Sequence, residues 1–148
     1  MKCLRASGVL LGVLLTFCSL SILGCGDGLP NRVPVSGHAF FDGKPLEGGA
    51  VGIYTPGQRA SSATIGPGGA FTVSTFSTND GLMPGKHQVV VVWKEDVGSN
   101  AIRWMIPKKY ADPETSGLEI NITGPTSDIK LELTSEPGKK YPWVEKFK

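Results

Sequence analysis

From Val33 to Thr134 the chain runs in short stretches of alternating apolar and polar residues, broken by Gly, Pro, Asn and Asp. No stretch sustains the spacing of an amphipathic helix, so the pattern predicts strands. In "VPVSGHAFF", Val33, Val35, Gly37, Ala39 and Phe41 fall on one face at period two, with Ser36, His38 and Phe40 on the other. Asp42-Gly43 then predicts a tight turn, because glycine takes a positive φ without steric penalty. A second strand, "AVGIYTP", starts at Ala50. A third, around Ser62 to Ile65, meets Gly66 to Gly69 and returns as "AFTVSTF", which predicts a hairpin with Phe71 and Val73 on one side.

"KHQVVVVWK", Lys86 to Lys94, has four consecutive valines, as expected of a central strand buried on both faces. In "LEINITGPTSDIKLELT", Leu118, Ile120 and Ile122 alternate with polar residues, as do Ile129, Leu131 and Leu133. The turn residues Gly124 to Asp128 between them predict a closing hairpin. The spacing of these runs predicts an all-β fold, a seven-stranded antiparallel β-sandwich over residues 33–135.

The first 24 residues differ from this pattern. Lys2 and Arg5 precede 19 uncharged residues, Ala6 to Gly24, which end in small side chains. This is the plan of a secretory signal. A retained membrane helix and an ordinary cleaved signal are the rival readings, since such a stretch nearly spans a bilayer. Cys3 and Cys18 lie inside it, which leaves Cys25 as the one cysteine of the mature chain. An odd cysteine in an exported protein has no intrachain disulfide partner. Ile22-Leu23-Gly24-Cys25 resembles a bacterial lipobox, which implies cleavage before Cys25 and lipid attachment to it. Residues 25–32 then form a lipidated tether to the domain.

Charge narrows the partners. The chain carries 15 basic and 13 acidic residues, and removal of Lys2 and Arg5 leaves it formally neutral. Nucleic acid is therefore not expected as a partner. With His38 and His87 as the sole histidines and no Cys or His pair at ligand spacing, no metal or other cofactor is expected. There is no G-x-S-x-G elbow, and the glycines of "IGPGG" open no helix, so no catalytic residue is assigned.

Two stretches resemble a known family. "GHAFFDGKPLEGGAVGIY" is similar to the opening of transthyretin-like, carboxypeptidase regulatory-like domains, and "LMPGKHQVVVV" to a later signature of them. His87 stands where that family usually has an aromatic. "IPKKYADPETSGLEINITG", together with the lipobox, resembles small bacterial lipoproteins that carry this domain alone. The resemblance implies a prealbumin-like Greek-key sandwich and an accessory or binding role in the cell envelope, with no shared active site.

Residues 95–117 make a connection of 23 residues, long enough to suggest a functional loop or further structure. Trp104, Lys108, Lys109 and Tyr110 are the candidate binding surface within it; the alternative is that Trp104, Met105 and Tyr110 pack over the end of the sandwich. The tail, residues 136–148, interleaves lysines with Tyr141, Trp143 and Phe147. It suits either a membrane surface or an added edge strand or frayed end. The expectation is a non-enzymatic envelope lipoprotein at the outer membrane, with the membrane, an envelope protein or a polysaccharide as partner. A carbohydrate- or peptide-binding module is the alternative, and a hydrolase the third reading.

Overall fold

Asp42 and Gly43 both take positive φ, 47° and 78°. A two-residue hairpin turn needs that pair of conformations to follow the right-handed twist of its strands. Strand β1, Val35–Phe41, therefore folds back on β2, Lys44–Pro45, with Phe41 opposite Lys44. The expected turn is present.

The computed structural model describes residues 28–147. Residues 1–24, expected from the sequence to be a signal segment, and Cys25 lie outside the described residues. Asn31–Lys148 forms one compact unit. It is mostly β: beyond β2 come β3 (Ala50–Tyr54), β4 (Ser61–Thr64), β5 (Ala70–Thr72), β6 (Gly85–Val92), β7 (Lys94–Asp96), β8 (Ala101–Trp104), β9 (Leu118–Ile122), β10 (Thr126–Leu133) and β11 (Trp143–Lys146). One short helix, α1, spans Pro113–Ser116.

Three sheets result. In the first, β1 lies between β10 on one side and β2 and β5 on the other. The second is antiparallel in the order β4-β3-β6-β9, and the third in the order β11-β8-β7. Val35, Ala39, Leu131 and Leu133 of the first sheet share one hydrophobic core with Val51, Ile53, Val89, Val91 and Ile122 of the second. The valine run lies in β6, between β3 and β9, with Val89, Val90 and Val91 all buried.

Three features depart from the sequence expectation. There are eleven strands in three sheets among the described residues, where seven antiparallel strands were expected. Residues 62–73 do not form a simple hairpin: β4 pairs with β3, whereas β5 pairs with β1. Nor do β9 and β10 pair, since β9 joins β6 and β10 runs parallel to β1. The cause is common to the last two. Alternation says which face of a strand is buried but not which strand lies beside it. At Gly69 (φ 78°) an added Cβ would stand 2.3 Å from the Ala39 carbonyl oxygen, so this loop is pressed onto β1 and carries the chain across to the first sheet. After Gly124-Pro125 the Thr126 N–H donates to Pro34 O at 3.0 Å, which starts the parallel pairing.

That pairing needs glycine. At Gly37 an added Cβ would stand 2.1 Å from the Ile129 carbonyl oxygen, at the point where the β1–β10 register shifts. Neither neighbour is a flexible chain end, so the two strands would have to part. Gly37→Ala is expected to lower unfolding stability by about 3 kcal/mol or more, measured by urea denaturation. A loss below about 1 kcal/mol would contradict the close approach described here.

Candidate functional site

The connection 95–117 is built, not loose. Lys94–Asp96 and Ala101–Trp104 pair as β7 and β8, and β11 from the tail pairs with β8, Trp143 opposite Trp104. The edge-strand reading of residues 136–148 is thus the one the structure adopts for Trp143–Lys146. Beyond β8, a 3-10 turn at Lys108–Ala111 leads into α1. Asp112 caps α1 by accepting from the Glu114 N–H at 2.8 Å, Pro113 takes the first helical position, and Gly117 ends it at φ 65°. The Ser116 hydroxyl donates to Val89 O at 2.7 Å and fastens the helix to β6.

This geometry separates the four residues expected to make a binding surface. Trp104 and Tyr110 are buried, 6% and 4% exposed, while Lys108 and Lys109 are exposed. Two buried rings offer no stacking platform to a ligand. The Trp104 indole N–H donates to Glu145 Oε2 at 2.9 Å, and Lys108 Nζ reaches Glu145 Oε1 at 3.0 Å. The Lys108 ammonium and the Trp104 N–H together hold the Glu145 carboxyl below the usual carboxylate range. Lys94 and Lys108 each bring Nζ within 6 Å of the Trp104 ring centroid, at 5.8 and 5.7 Å. Tyr110 accepts the Thr134 N–H at 3.0 Å and so ties the 3-10 turn to the end of β10. Burial, then Glu136, which accepts from its hydroxyl, push the Tyr141 phenol up to about 12. The aromatics brace the end of the core, and the lysines shield them.

The two histidines are also apart. His38 is exposed on β1, beside Phe40. His87 is buried in β6, at 3% exposure. Its Nε2 lies 2.9 Å from Met83 O, which can only accept, so Nε2 carries the proton. Nδ1 then accepts from the Thr55 hydroxyl. Burial pushes the imidazole pKa below its ordinary value, although the Met83 carbonyl acts in the other sense. Among the described residues no cluster of three His, Cys, Asp or Glu side chains could hold a metal ion.

A second set of residues was not singled out by sequence. Asp80 receives the backbone N–H groups of Thr75 (2.7 Å), Phe76 and Ser77 (both 3.0 Å) on its carboxylate, and Arg32 lies 3.0 Å away. Burial alone would raise its pKa; the three N–H donors and Arg32 outweigh that and lower it. Thr75 joins the same knot, bonding the buried Ser61 hydroxyl at 2.6 Å and donating to Gly81 O at 2.6 Å. The signal in the sequence is only a turn-rich "STNDG".

This knot frames a cleft of about 510 Å³ between β4 and β5. Ser62, Thr64, Thr72, Ser74, Thr78 and Asn79 supply its polar lining, and Ala63 and Phe71 part of its apolar one. No ionisable side chain lines it. The strands are bonded at both ends of the cleft. Ser62 and Ser74 exchange two backbone bonds, 2.9 and 2.8 Å, and Gly66 N–H donates to Ala70 O at 2.8 Å. Thr64 and Thr72 stand between these rungs.

Two outcomes are expected of these contacts. Trp104→Ala is expected to lower stability by about 3–5 kcal/mol in urea unfolding, as befits a packed ring; an unchanged midpoint would mark Trp104 as surface. For His87, the folded pKa lies below the ordinary histidine value of 6.5. The unfolded chain then binds the proton more readily, so stability is full above that value and falls as pH drops below it. The melting temperature should decline between pH ~7.5 and pH ~5.5, and His87→Gln should flatten that slope. An equal slope in the variant would contradict the buried, neutral imidazole.

In comparisons with known proteins, the chain matches no family model, no curated protein and no solved structure, so the reading of this site rests on its own geometry.

Proposed function

We propose that this chain is a small lipoprotein of the bacterial cell envelope, a non-catalytic β-sandwich module of prealbumin type, held at the membrane through Cys25. The observation that carries the proposal is the sequence around that residue. A basic start, 19 uncharged residues and Ile22-Leu23-Gly24-Cys25 precede a chain that contains no other cysteine. Lipid attachment explains a thiol that no intrachain partner can oxidise. A diacylated cysteine supplies the two chains that stable anchoring requires, each buried methylene contributing about 0.8 kcal/mol.

Several features of the described residues support a module without chemistry of its own. Both ring nitrogens of His87 are engaged by Thr55 and Met83, and His38 has no acid beside it in the parallel register, where it faces Lys130. Residues of two sheets share one core, consistent with a sandwich, although β1 and β10 run parallel. Gly26 after the cysteine favours the outer membrane as its place.

A carbohydrate-binding role for the module is the second reading. The neutral cleft between β4 and β5 favours it, whereas the 95–117 connection, its rings buried, does not.

Labelling with radioactive palmitate in a bacterial host tests the anchor. The wild-type chain should take up label and start at Cys25 after processing, and Cys25→Ser should take up none. Label that persists in Cys25→Ser would overturn the proposal.

A further inference from the structure

We propose that two copies of this chain join through their β9 strands, edge to edge and antiparallel about Ile120. The inference goes beyond the role proposed above and depends on neither the anchor nor the cleft between β4 and β5.

β9 is the last strand of its sheet and pairs with β6 alone among the described strands. The ladder shows which of its residues face outward. Ile65 N–H donates to Gly49 O, so Gly49, Val51 and Ile53 turn their backbone groups to β4. Ala50, Gly52 and Tyr54 therefore turn theirs to β6. Carried across β6, the same alternation makes Val89 with Leu118, His87 with Ile120 and Gly85 with Ile122 the bonded pairs. The Ser116 hydroxyl, just before β9, reaches Val89 O and so fixes the side on which that carbonyl lies. Glu119 and Asn121 are left with N–H and C=O groups directed away from the sheet. Exposed strand edges of this kind are templates for another strand.

The other edges are guarded. β7 is Lys94, Glu95 and Asp96, all exposed, and β10 presents charged residues along its length. β11 follows Pro142 and ends in Glu145 and Lys146. The far side of β4 is bridged to Ser74. β9 has one charge in five residues, Glu119, and no proline. Its inward residues Leu118 and Ile120 are only partly covered by the core. Ile120 and Ile129 also line a cleft of about 510 Å³ that lies open between β9 and β10. This edge therefore combines free backbone groups with apolar side chains still short of cover.

The occupant follows from the sequence of the strand, Leu118-Glu119-Ile120-Asn121-Ile122, which is complementary to itself. Antiparallel pairing about Ile120 sets Glu119 of each copy opposite Asn121 of the other. These are the outward-facing residues, so each pair exchanges two backbone bonds. On the exposed face a carboxylate then meets an amide, acceptor against donor, and no like charges stand opposite. On the inner face Ile120 meets its own copy and Leu118 meets Ile122, so the partly covered apolar residues lose contact with water. Neighbouring registers are worse. Pairing about Glu119 would oppose two carboxylates, and pairing about Asn121 would leave Leu118 facing Gly124. The contact is two-fold and closed, and it merges two four-stranded sheets into one.

Sedimentation equilibrium of the full chain in a density-matched detergent reads the mass of protein alone. A dimer is expected at ~100 μM, dissociating on dilution. Asn121→Pro leaves the bonds to β6 intact, because that N–H faces outward and edge positions accept proline, and should weaken the dimer roughly tenfold or more. Asn121→Glu, which opposes carboxylates at both pairs, should do the same, and adding Glu119→Lys to it should restore the dimer. Lys130→Ala, on the edge of β10, should change nothing. In hydrogen exchange the Glu119 and Asn121 amides should be protected in the dimer and exposed on dilution. A wild-type chain that stays monomeric up to ~1 mM would overturn the proposal. A dimer that both Asn121 variants retain would overturn it as well, since the contact then lies elsewhere or two chains merely share a micelle. So would a loss in Asn121→Glu that Glu119→Lys fails to repair. Amides protected equally at every dilution would give the edge to another segment of the same chain and sink the dimer.

Discussion

The first sheet depends on one close approach, between β1 and β10 at Gly37 and Ile129. β1 is the only strand in that sheet with neighbours on both sides, meeting β10 across one edge and β2 and β5 across the other. Its pairing with β10 brings together residues nearly a hundred positions apart. Parallel strands cannot be joined by a tight turn, so this pair is assembled from the two ends of the fold and holds both to one core. Ala39 opposite Leu131 and Phe41 opposite Leu133 then supply the first sheet's inner face. A methyl group at Gly37 would displace all of this, because the obstacle it meets is backbone.

Around that sheet the chain manages its free edges in different ways. The outer edge of β10 carries Asp128, Lys130 and Glu132, all exposed, and such charges discourage further strand addition. At the other side the Ser62–Ser74 and Gly66–Ala70 bonds draw the chain at either end of β5 toward β4 and so join the two sheets. The knot at Asp80 holds the loop after β5 in place through three backbone donors and Arg32. Since buried polar groups of this kind are satisfied in a fixed arrangement, the cleft beside them is held open by bonds rather than by chance packing.

The candidate site shows how little of a function can be legible in side-chain identity. Trp104, Lys108, Lys109 and Tyr110 draw attention because aromatics beside cations suit recognition. In the fold the rings go inward, bonded to Glu145 and Thr134, and the lysines cover them, so the same residue types serve packing. The cleft is the opposite case. Ser62, Thr64, Thr72 and Ser74 belong to ordinary alternating strands, and nothing in their spacing announces a site. They line one cleft because β5 pairs with β1 while β4 pairs with β3, and no sequence pattern records that.

What the residues determine by themselves is local. Asp42-Gly43 demands its turn because few other pairs tolerate two positive φ angles, and the valine run demands a buried strand because neither face could be left in water. The alternation at Leu118–Ile122 and Ile129–Leu133 correctly assigns inner and outer faces. Partner choice is decided elsewhere. The pairing of β9 with β6, of β10 with β1 and of β5 with β1 rather than β4 arises because two sheets must close over a common core. A period of two specifies a face, while neighbours and gaps follow from how the whole chain shares the space between those faces.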